Sequence, residues 1–243
     1  MDSKLITIGH TSKMIGVSIQ TLRRWDEAGK FLSVRKIKSG NRYYRKEDVE
    51  NCNIKNLFKL AKIWIKDDLG FEPRKNFYCS DNSVFQARLS RMENELGKIK
   101  ELSAIFPLIV AVAGEIGNNS FDHNLGNWSD IPGIFFAYSL NKKLVVLADR
   151  GQGILTTLKR VEPKLLNHQE ALYVAFTKII SGRAPESRGN GLKFVMDVVI
   201  NNKINLFFQT GNAYFEIKNK NSNLEIKKSN IDLRGCLALI KFQ

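Results

Sequence analysis

A carboxylate, an amide and an imidazole recur at helical spacing in the segment AVAGEIGNNSFDHN. Glu115 and Asn119 are four residues apart, and Asp122 and His123 follow about two turns after Glu115. All four therefore lie near one face of a predicted helix over 104–124. Burying such groups costs free energy unless each finds a partner. This face predicts a site for a polar ligand or a metal ion.

Two glycine-containing segments lie at the borders of apolar runs. The run DRGQG starts at Asp149, directly after an apolar stretch, and the run GNGL starts at Gly189, directly before one. The second run is predicted to open a helix. The first turn of a helix has free N–H groups and a partial positive charge, which suit phosphate.

A framework of helices and strands must bring these residues together. Helical periodicity predicts helices over 84–100 and 104–124, and a further helix from Gly191. Apolar runs predict strands at 133–140, 143–149, 204–210, 212–217 and 236–242. We expect an α+β fold, whose carboxy-terminal part is a mixed sheet covered by helices.

The E-x-x-x-N helix, the D-x-G-x-G turn and the G-x-G-L helix start occur in this order and resemble the nucleotide-binding boxes of the GHKL ATPase superfamily. This superfamily includes gyrase, Hsp90, MutL, histidine kinases and anti-sigma-factor serine kinases. The resemblance extends from about Val84 to Gln243 and implies ATP and Mg²⁺ as cofactors. The chain has no G-x-x-x-x-G-K-[ST] segment, which excludes a P-loop site.

The resemblance also implies residue roles. Asn119 would bind Mg²⁺ through its side-chain oxygen, Glu115 would orient or deprotonate the attacking water or hydroxyl, and Asp149 would accept a hydrogen bond from the adenine amino group. The other expected cofactor-binding residues are Asp122, His123, Gly151, Gly153, Arg188, Gly189, Gly191 and Leu192. A structural role is the alternative for His123. The resemblance also implies that Gly151 and Gly153 start a mobile lid. Four charged residues near this lid either touch the γ-phosphate or are simply solvated, namely Lys178, Arg183, Arg188 and Lys193.

Positive charge is concentrated at the amino terminus. The chain has a net charge of +14, and its first 66 residues hold 15 Lys and Arg against 6 Asp and Glu. The pattern there predicts a helix from Ile6, a turn at Gly16, and a second helix capped by Ser18. A basic hairpin turning at 39–41 follows. A nucleic-acid partner is therefore expected at this end of the chain.

The strings ITIGHTSKMIGVSIQTLRRWDEAGKF and SGNRYYRKEDVE resemble the winged helix-turn-helix domain of MerR-type and excisionase-type regulators. The resemblance implies double-stranded DNA as partner, with Leu22 and Trp25 in the core. Residues expected in the major groove are Gln20, Thr21, Arg23 and Arg24. Wing residues expected on the backbone or minor groove are Lys38, Asn41, Arg42, Tyr43 and Arg45.

Composition shifts suggest a DNA-binding domain with its following helix over 1–70, a linker over 71–83, and the ATP-binding domain over 84–243. The predicted helix over 51–68 has an apolar stripe that serves either dimerisation or packing on its own domain. The stripe consists of Ile54, Leu57, Phe58, Ala61, Ile63 and Ile65. Cys52, Cys79 and Cys236 are odd in number and far apart, as in a reducing compartment. Without an apolar signal-peptide core or a membrane-length apolar run, we expect a cytoplasmic protein.

These features favour an ATP-responsive transcription regulator in which the nucleotide state controls the DNA-binding domain. The regulator is expected to be a homodimer. The alternative is a serine or threonine kinase that resembles anti-sigma-factor kinases and acts on a partner protein. A third hypothesis is ATP binding without turnover. A histidine kinase is not expected, since 51–113 contains no His. Gyrase, MutL and Hsp90 have a transducer domain for which we expect no counterpart.

Overall fold

The computed structural model describes residues 5–15, 17–35, 40–73, 75–179, 190–218 and 224–243. The chain folds as two compact units that divide between Lys59 and Leu60. We expected the first domain to extend to residue 70. Expected ligand-contacting residues that lie outside the described ranges are Lys38, Arg183, Arg188 and Gly189.

The first unit is built on a small antiparallel sheet. Strand β1 (Leu5–Thr7) is followed by helices α1 (Ile8–Ile15) and α2 (Ile19–Glu27), and then by β2 (Val34–Arg35) and β3 (Arg42–Arg45). The sheet order is β1-β3-β2. The helix predicted from Ile6 begins later, because Ile6 pairs with Tyr44 in the sheet.

The core of this unit contains Ile15, Leu22, Tyr44 and Val49, with Trp25 packed against it at partial exposure. Leu22 is fully buried. The ring of Phe31 stacks on Tyr44 with centroids 4.9 Å apart. The Tyr44 hydroxyl donates to the Leu22 carbonyl at 3.4 Å and thus connects the sheet to the second helix.

Helix α3 (Lys46–Lys66) begins directly after β3. In its last two turns Ala61, Trp64 and Ile65 are buried, whereas Ile63 is 48% exposed. The predicted stripe included Ile63 and omitted Trp64. A helical repeat of 3.6 residues places 61, 64 and 65 on one face and turns 63 away from it.

The second unit contains a five-stranded sheet of order β4-β5-β6-β8-β7. Its strands are β4 (Tyr78–Cys79), β5 (Ile134–Ser139), β6 (Leu144–Asp149), β7 (Ile204–Ile217) and β8 (Lys227–Phe242). Its helices are α4 (Asn82–Leu96), α5 (Phe106–Asn124), α6 (Gly153–Leu158), α7 (His168–Thr177) and α8 (Gly191–Asn201). The architecture is α+β, as expected.

Within the described residues every strand pairing of this sheet is antiparallel, which corrects the expected mixed sheet. A short turn joins β5 to β6, and such a connection makes neighbouring strands antiparallel. The segments expected as two strands, 204–210 and 212–217, form the single strand β7, which is irregular at Gly211 with φ +52°. Part of the expected linker joins the sheet as β4.

Helices α4 and α5 cover one face of the sheet, and the end of α3 covers the other. Phe136 meets Phe85 of α4 with ring centroids 5.2 Å apart. Its neighbour Phe135 meets Trp64 of α3 with centroids 6.3 Å apart. Because consecutive strand residues point to opposite faces, the two contacts lie on opposite sides of β5. All six residues of β6 are consequently buried.

Candidate functional sites

Asp149 is a buried carboxylate at the end of β6, with 2% of its surface exposed. Its Oδ2 accepts a 2.8 Å hydrogen bond from the Ser120 hydroxyl of α5. Its Oδ1 accepts a 2.9 Å hydrogen bond from the Gly151 backbone N–H. The sheet end and the middle of α5 are thereby joined through one acidic group.

Burial raises the pKa of Asp149 to about 6, although the hydrogen bonds from Gly151 and Ser120 lower it in part. Desolvation disfavours the charged form of a carboxyl group, and donors aimed at the carboxylate offset only some of this cost. Asp149 is therefore a buried acceptor that a further donor would stabilise.

Asn124 completes this cluster and was not among the expected site residues. Its Nδ2 donates to the Ser120 carbonyl at 2.7 Å, and its Oδ1 accepts from the Gln152 N–H at 2.9 Å. A Cβ at Gly151 would overlap the Asn124 side chain. Ser120 and Asn124 are spaced i, i+4 on α5, and they directly follow Asn119 and His123 of the predicted face. That spacing, followed by a D-x-G turn, is the sequence signal that could have found them.

Glu115, Asn119 and Gly191 lie together at the start of α8. A Cβ at Gly191 would stand 2.5 Å from Glu115 Oε2 and 3.6 Å from Asn119 Nδ2. A side chain at the first position of α8 would therefore displace the Glu115 carboxylate. Residue 190, which precedes α8, makes no side-chain cap hydrogen bond. First-turn N–H groups of α8 thus lie close to a carboxylate and an amide on α5.

Gly153 and Gly235 shape the backbone around Asp149. Gly153 has φ +75° and opens α6, and Thr210 Oγ1 accepts a 3.2 Å hydrogen bond from the next N–H. Gly235 has φ +71°, and its Cβ would be 2.5 Å from Asp149 Oδ1. Sequence reasoning did not select Gly235, since it lies in β8, far along the chain from the D-x-G-x-G turn.

The other predicted members of the α5 face lie differently. Asp122 is exposed and His123 is partly buried. Burial lowers the pKa of His123, which favours a neutral imidazole at neutral pH. Leu192 is partly buried and packs against the core of the second unit. The structure thus forms two groups of predicted site residues. The first group is Glu115, Asn119 and Gly191, and the second is Asp149, Gly151 and the backbone turn at Gly153.

The first unit presents its second helix to solvent. Ser18 caps α2 by accepting from the Thr21 N–H at 3.1 Å, and the two hydroxyls lie 2.9 Å apart. Gln20, Arg23 and Arg24 are exposed, whereas Thr21 is partly exposed. Side chains able to hydrogen-bond base edges and phosphates therefore project from the first two turns of this helix.

The hairpin residues have two kinds of environment. Asn41 and Arg45 are exposed, and Tyr43 is half-buried. Arg42 instead donates to Asp26 at 2.6 Å and to Glu27 at 3.2 Å. The side-chain hydrogen bond to Asp26 raises the pKa of Arg42. Arg42, expected to contact DNA, thus ties the hairpin to the end of α2.

Neither a preformed metal cluster nor a membrane-spanning helix occurs in the part of the chain that the structure describes. No group of three or more His, Cys, Asp and Glu side chains is arranged to hold a metal ion there. No helix there is long and apolar enough to cross a bilayer.

Comparison with known proteins identifies the first unit. Residues 6–63 match the family model of the MerR HTH family regulatory protein. The chain is also 42% identical over 45 residues to the Type II methyltransferase M.Eco47II of Escherichia coli. The aligned segment amounts to 18% of this chain and 11% of that enzyme.

The match to the family model covers α1, α2, the hairpin and most of α3, and it agrees with the exposed, capped second helix described above. Residues 6–63 are a MerR-type helix-turn-helix domain, the DNA-binding type found in transcription regulators.

Proposed function

We propose that this protein is a DNA-binding transcription regulator whose second unit binds Mg²⁺-ATP in the manner of GHKL proteins and whose nucleotide state controls DNA binding. The observation that carries the ATP proposal is the convergence on α5 of two groups. Ser120 holds the buried Asp149 carboxylate, and on the same helix Glu115 and Asn119 lie beside the start of α8.

The first group suits an adenine ring. A buried carboxylate with a raised pKa gains from any additional donor, and the adenine amino group offers one. A side chain at Gly151 would overlap Asn124, so no side chain covers the backbone at this position near Asp149. A planar base could approach this turn closely.

The second group suits a metal–phosphate unit. Asn119 would supply an amide oxygen to Mg²⁺, and the phosphate oxygens would supply further ligands. First-turn N–H groups of α8 would bind phosphate. Glu115 is the base that this arrangement offers to a water or hydroxyl nucleophile. Bound Mg²⁺ would neutralise charge that develops on the transferred phosphoryl group.

Binding of Mg²⁺-ATP by isothermal titration calorimetry tests this proposal. Wild-type protein should bind one ATP per chain in a magnesium-dependent manner. Asp149→Ala should abolish binding. Asp122 is exposed and was predicted on the same helix face as Glu115, so Asp122→Ala should change the affinity only if Asp122 also contacts the ligand. Wild-type protein that binds no adenine nucleotide would refute the ATP part and leave the DNA-binding part intact.

The DNA part is tested by a selection of duplex sequences with and without Mg²⁺-ATP. The proposal predicts a defined site and a change in affinity when nucleotide is added. Sedimentation of the protein–DNA complex would show whether a homodimer binds that site. Equal DNA affinity with ATP, ADP and no nucleotide would remove the regulatory part of the proposal.

A protein serine or threonine kinase is the second candidate, favoured by the position of Glu115 beside the α8 start. In that case Glu115 would accept the proton of a partner protein's hydroxyl. Labelled ATP should then transfer phosphate to a co-encoded partner, and Glu115→Ala should stop transfer but keep ATP binding. ATP binding with neither phosphate release nor transfer would instead identify a nucleotide sensor without turnover.

A further inference from the structure

Arg150, the residue after Asp149, is fully buried and bonded to the end of α3. Its Nη1 donates to the Trp64 carbonyl at 2.5 Å, and its Nη2 donates to the Asp67 carbonyl at 2.7 Å. The last carbonyls of a helix have no partner within the helix, so a guanidinium that reaches them closes the helix end. Arg150 is the C-terminal cap of α3.

The same guanidinium is neutralised by Asp130. Arg150 Nε lies 3.1 Å from both carboxylate oxygens of Asp130, and Nη2 also donates to Oδ2. The hydrogen bond from Arg150 lowers the pKa of Asp130, so this carboxyl group is ionised at neutral pH. Burial of an arginine is costly unless every donor is used. Here one side chain joins three segments: the end of β6, the loop at Asp130 and the last turn of α3.

Trp64 extends this junction within the second unit. The Arg150 guanidinium lies 5.9 Å from the Trp64 ring centroid, in the range of a cation–π contact. Trp64 Nε1 donates to the Phe71 carbonyl at 2.7 Å. The chain leaving α3 is therefore folded back over the same arginine.

Asp149 and Arg150 point to opposite sides of the sheet. Asp149 faces Ser120 on α5, and Arg150 faces the end of α3. The peptide between them is shared, so a ligand that fixes the Asp149 carboxylate also fixes the backbone from which Arg150 projects. Helix α3 leads back along the chain to β3 of the helix-turn-helix domain.

We propose that Arg150 is a positioning residue that couples occupancy of the Asp149 site to the closure of the α3 end. This inference rests on the proposed nucleotide site and specifies its regulation. Ligand bound at Asp149 stabilises the Arg150 cap, and loss of the ligand loosens the last turn of α3. Coupling between two binding sites is reciprocal. DNA bound to the helix-turn-helix domain and nucleotide bound at Asp149 therefore change each other's affinity by the same factor.

Gly70 offers a way to disturb the cap from the α3 side. It has φ +71°, and a Cβ there would stand 3.1 Å from Asp130 Oδ2 and 3.3 Å from Arg150 Nη2. Gly126 has nearly the same φ, +72°, with nothing within 4 Å of its Cβ. Gly126→Ala is thus a matched control, because it introduces the same backbone strain without touching the cap.

Hydrogen exchange over residues 60–71, measured with and without Mg²⁺-ATP, tests the inference within the second unit. In wild-type protein and Gly126→Ala, ATP should slow exchange of these amides at least about fivefold, the lower end of typical couplings. In Gly70→Ala and Arg150→Lys, ATP should still bind but leave exchange unchanged. The inference is overturned if ATP still slows amide exchange in both cap variants. It is also overturned if wild-type protein binds ATP without slower exchange.

DNA affinity supplies the second readout. The ratio of DNA dissociation constants with and without ATP should differ from one in wild-type protein and approach one in Gly70→Ala and Arg150→Lys. Arg234→Met is a further control, since Arg234 also bonds Asp130, at 2.6 Å, through a 43% exposed side chain. It should keep the wild-type ratio. If wild-type protein binds no nucleotide, the ATP part of the proposed function fails. If it binds nucleotide and the ratio differs from one to the same extent in wild type and in all variants, only the Arg150 inference fails.

Discussion

The hydroxyl of Ser120 and the carboxylate of Asp149 form a buried 2.8 Å hydrogen bond between helix α5 and the end of strand β6. The two residues are 29 positions apart and are both less than one-tenth exposed. The donor helps to keep the carboxylate charged, since its hydrogen bond lowers the pKa that burial raises. It also leaves the carboxylate held in one orientation.

Removal of this donor should weaken adenine nucleotide binding. A hydrogen bond to a charged group is worth about 1.5–3 kcal/mol, so Ser120→Ala should raise the ATP dissociation constant roughly tenfold or more. Titration calorimetry with Mg²⁺-ATP measures the change. Ser129→Ala, at an exposed serine of the same unit, is the control and should bind like wild type. Equal affinities for both variants would remove Ser120 from the site.

Asp149 should also make stability depend on pH. Its folded-state pKa of about 6 exceeds the usual value of 3.8, so the folded protein holds this proton more tightly than the unfolded chain. The contribution to the free energy of unfolding is therefore complete below about pH 4 and is lost as pH rises through about 6. The loss is on the order of 3 kcal/mol for a group this deeply buried.

Asp149→Asn removes this titration while keeping the side-chain size. Relative to wild type, the variant should become more stable by up to about 3 kcal/mol as pH rises from 4 to 8. Urea unfolding at several pH values gives the difference, and subtracting the wild-type curve cancels the other titrating groups. A difference that stays flat across this range would show that Asp149 titrates normally in the folded protein.

Nucleoside binding should titrate through the same carboxyl group. The adenine amino group needs an acceptor, and the ionised Asp149 provides a better one than the protonated acid. The affinity for adenosine should fall as pH decreases below about 6, by up to about tenfold per unit. Adenosine is the suitable ligand because it has no phosphate to titrate. Affinity that is constant from pH 5 to pH 8 would contradict an adenine–Asp149 contact.

The sequence predicted the parts of this site that local patterns determine. The i, i+4 spacing of Glu115 and Asn119 and the D-x-G-x-G turn were visible in the sequence. Asn124 was missed although its i, i+4 spacing from Ser120 is visible in the sequence, because the role of this spacing depends on where β6 ends relative to α5. Gly235 was missed for a similar reason, since only the pairing of β6 with β8 places it against Asp149.

The framework was predicted less completely than the residues it holds. The α+β class followed from periodicity, whereas strand direction depends on connections that apolar runs do not specify. Arg150 shows the limit most clearly. In the sequence it is an ordinary charged residue in a glycine-rich turn, and only the fold reveals that its guanidinium is buried against the α3 end.

Truncation of two arginines of the helix-turn-helix domain should affect different properties, DNA binding in one case and thermal stability in the other. Arg24 is exposed on α2, whereas Arg42 is bonded to Asp26, whose side chain is 8% exposed. Arg24→Ala should leave thermal unfolding unchanged, weaken DNA binding, and reduce the slope of log affinity against log salt by about one.

Arg42→Ala should lower the unfolding temperature, because Asp26 then loses the cation that ties the hairpin to α2. Asp26 would keep its bonds from Ser33, at 2.8 and 2.9 Å, but these come from neutral donors. The salt slope of DNA binding should stay close to wild type when measured well below the unfolding temperature, since the lost charge is already paired within the protein. A reduced salt slope with unchanged thermal stability would instead place Arg42 on a phosphate and reverse the assignment made from its contacts.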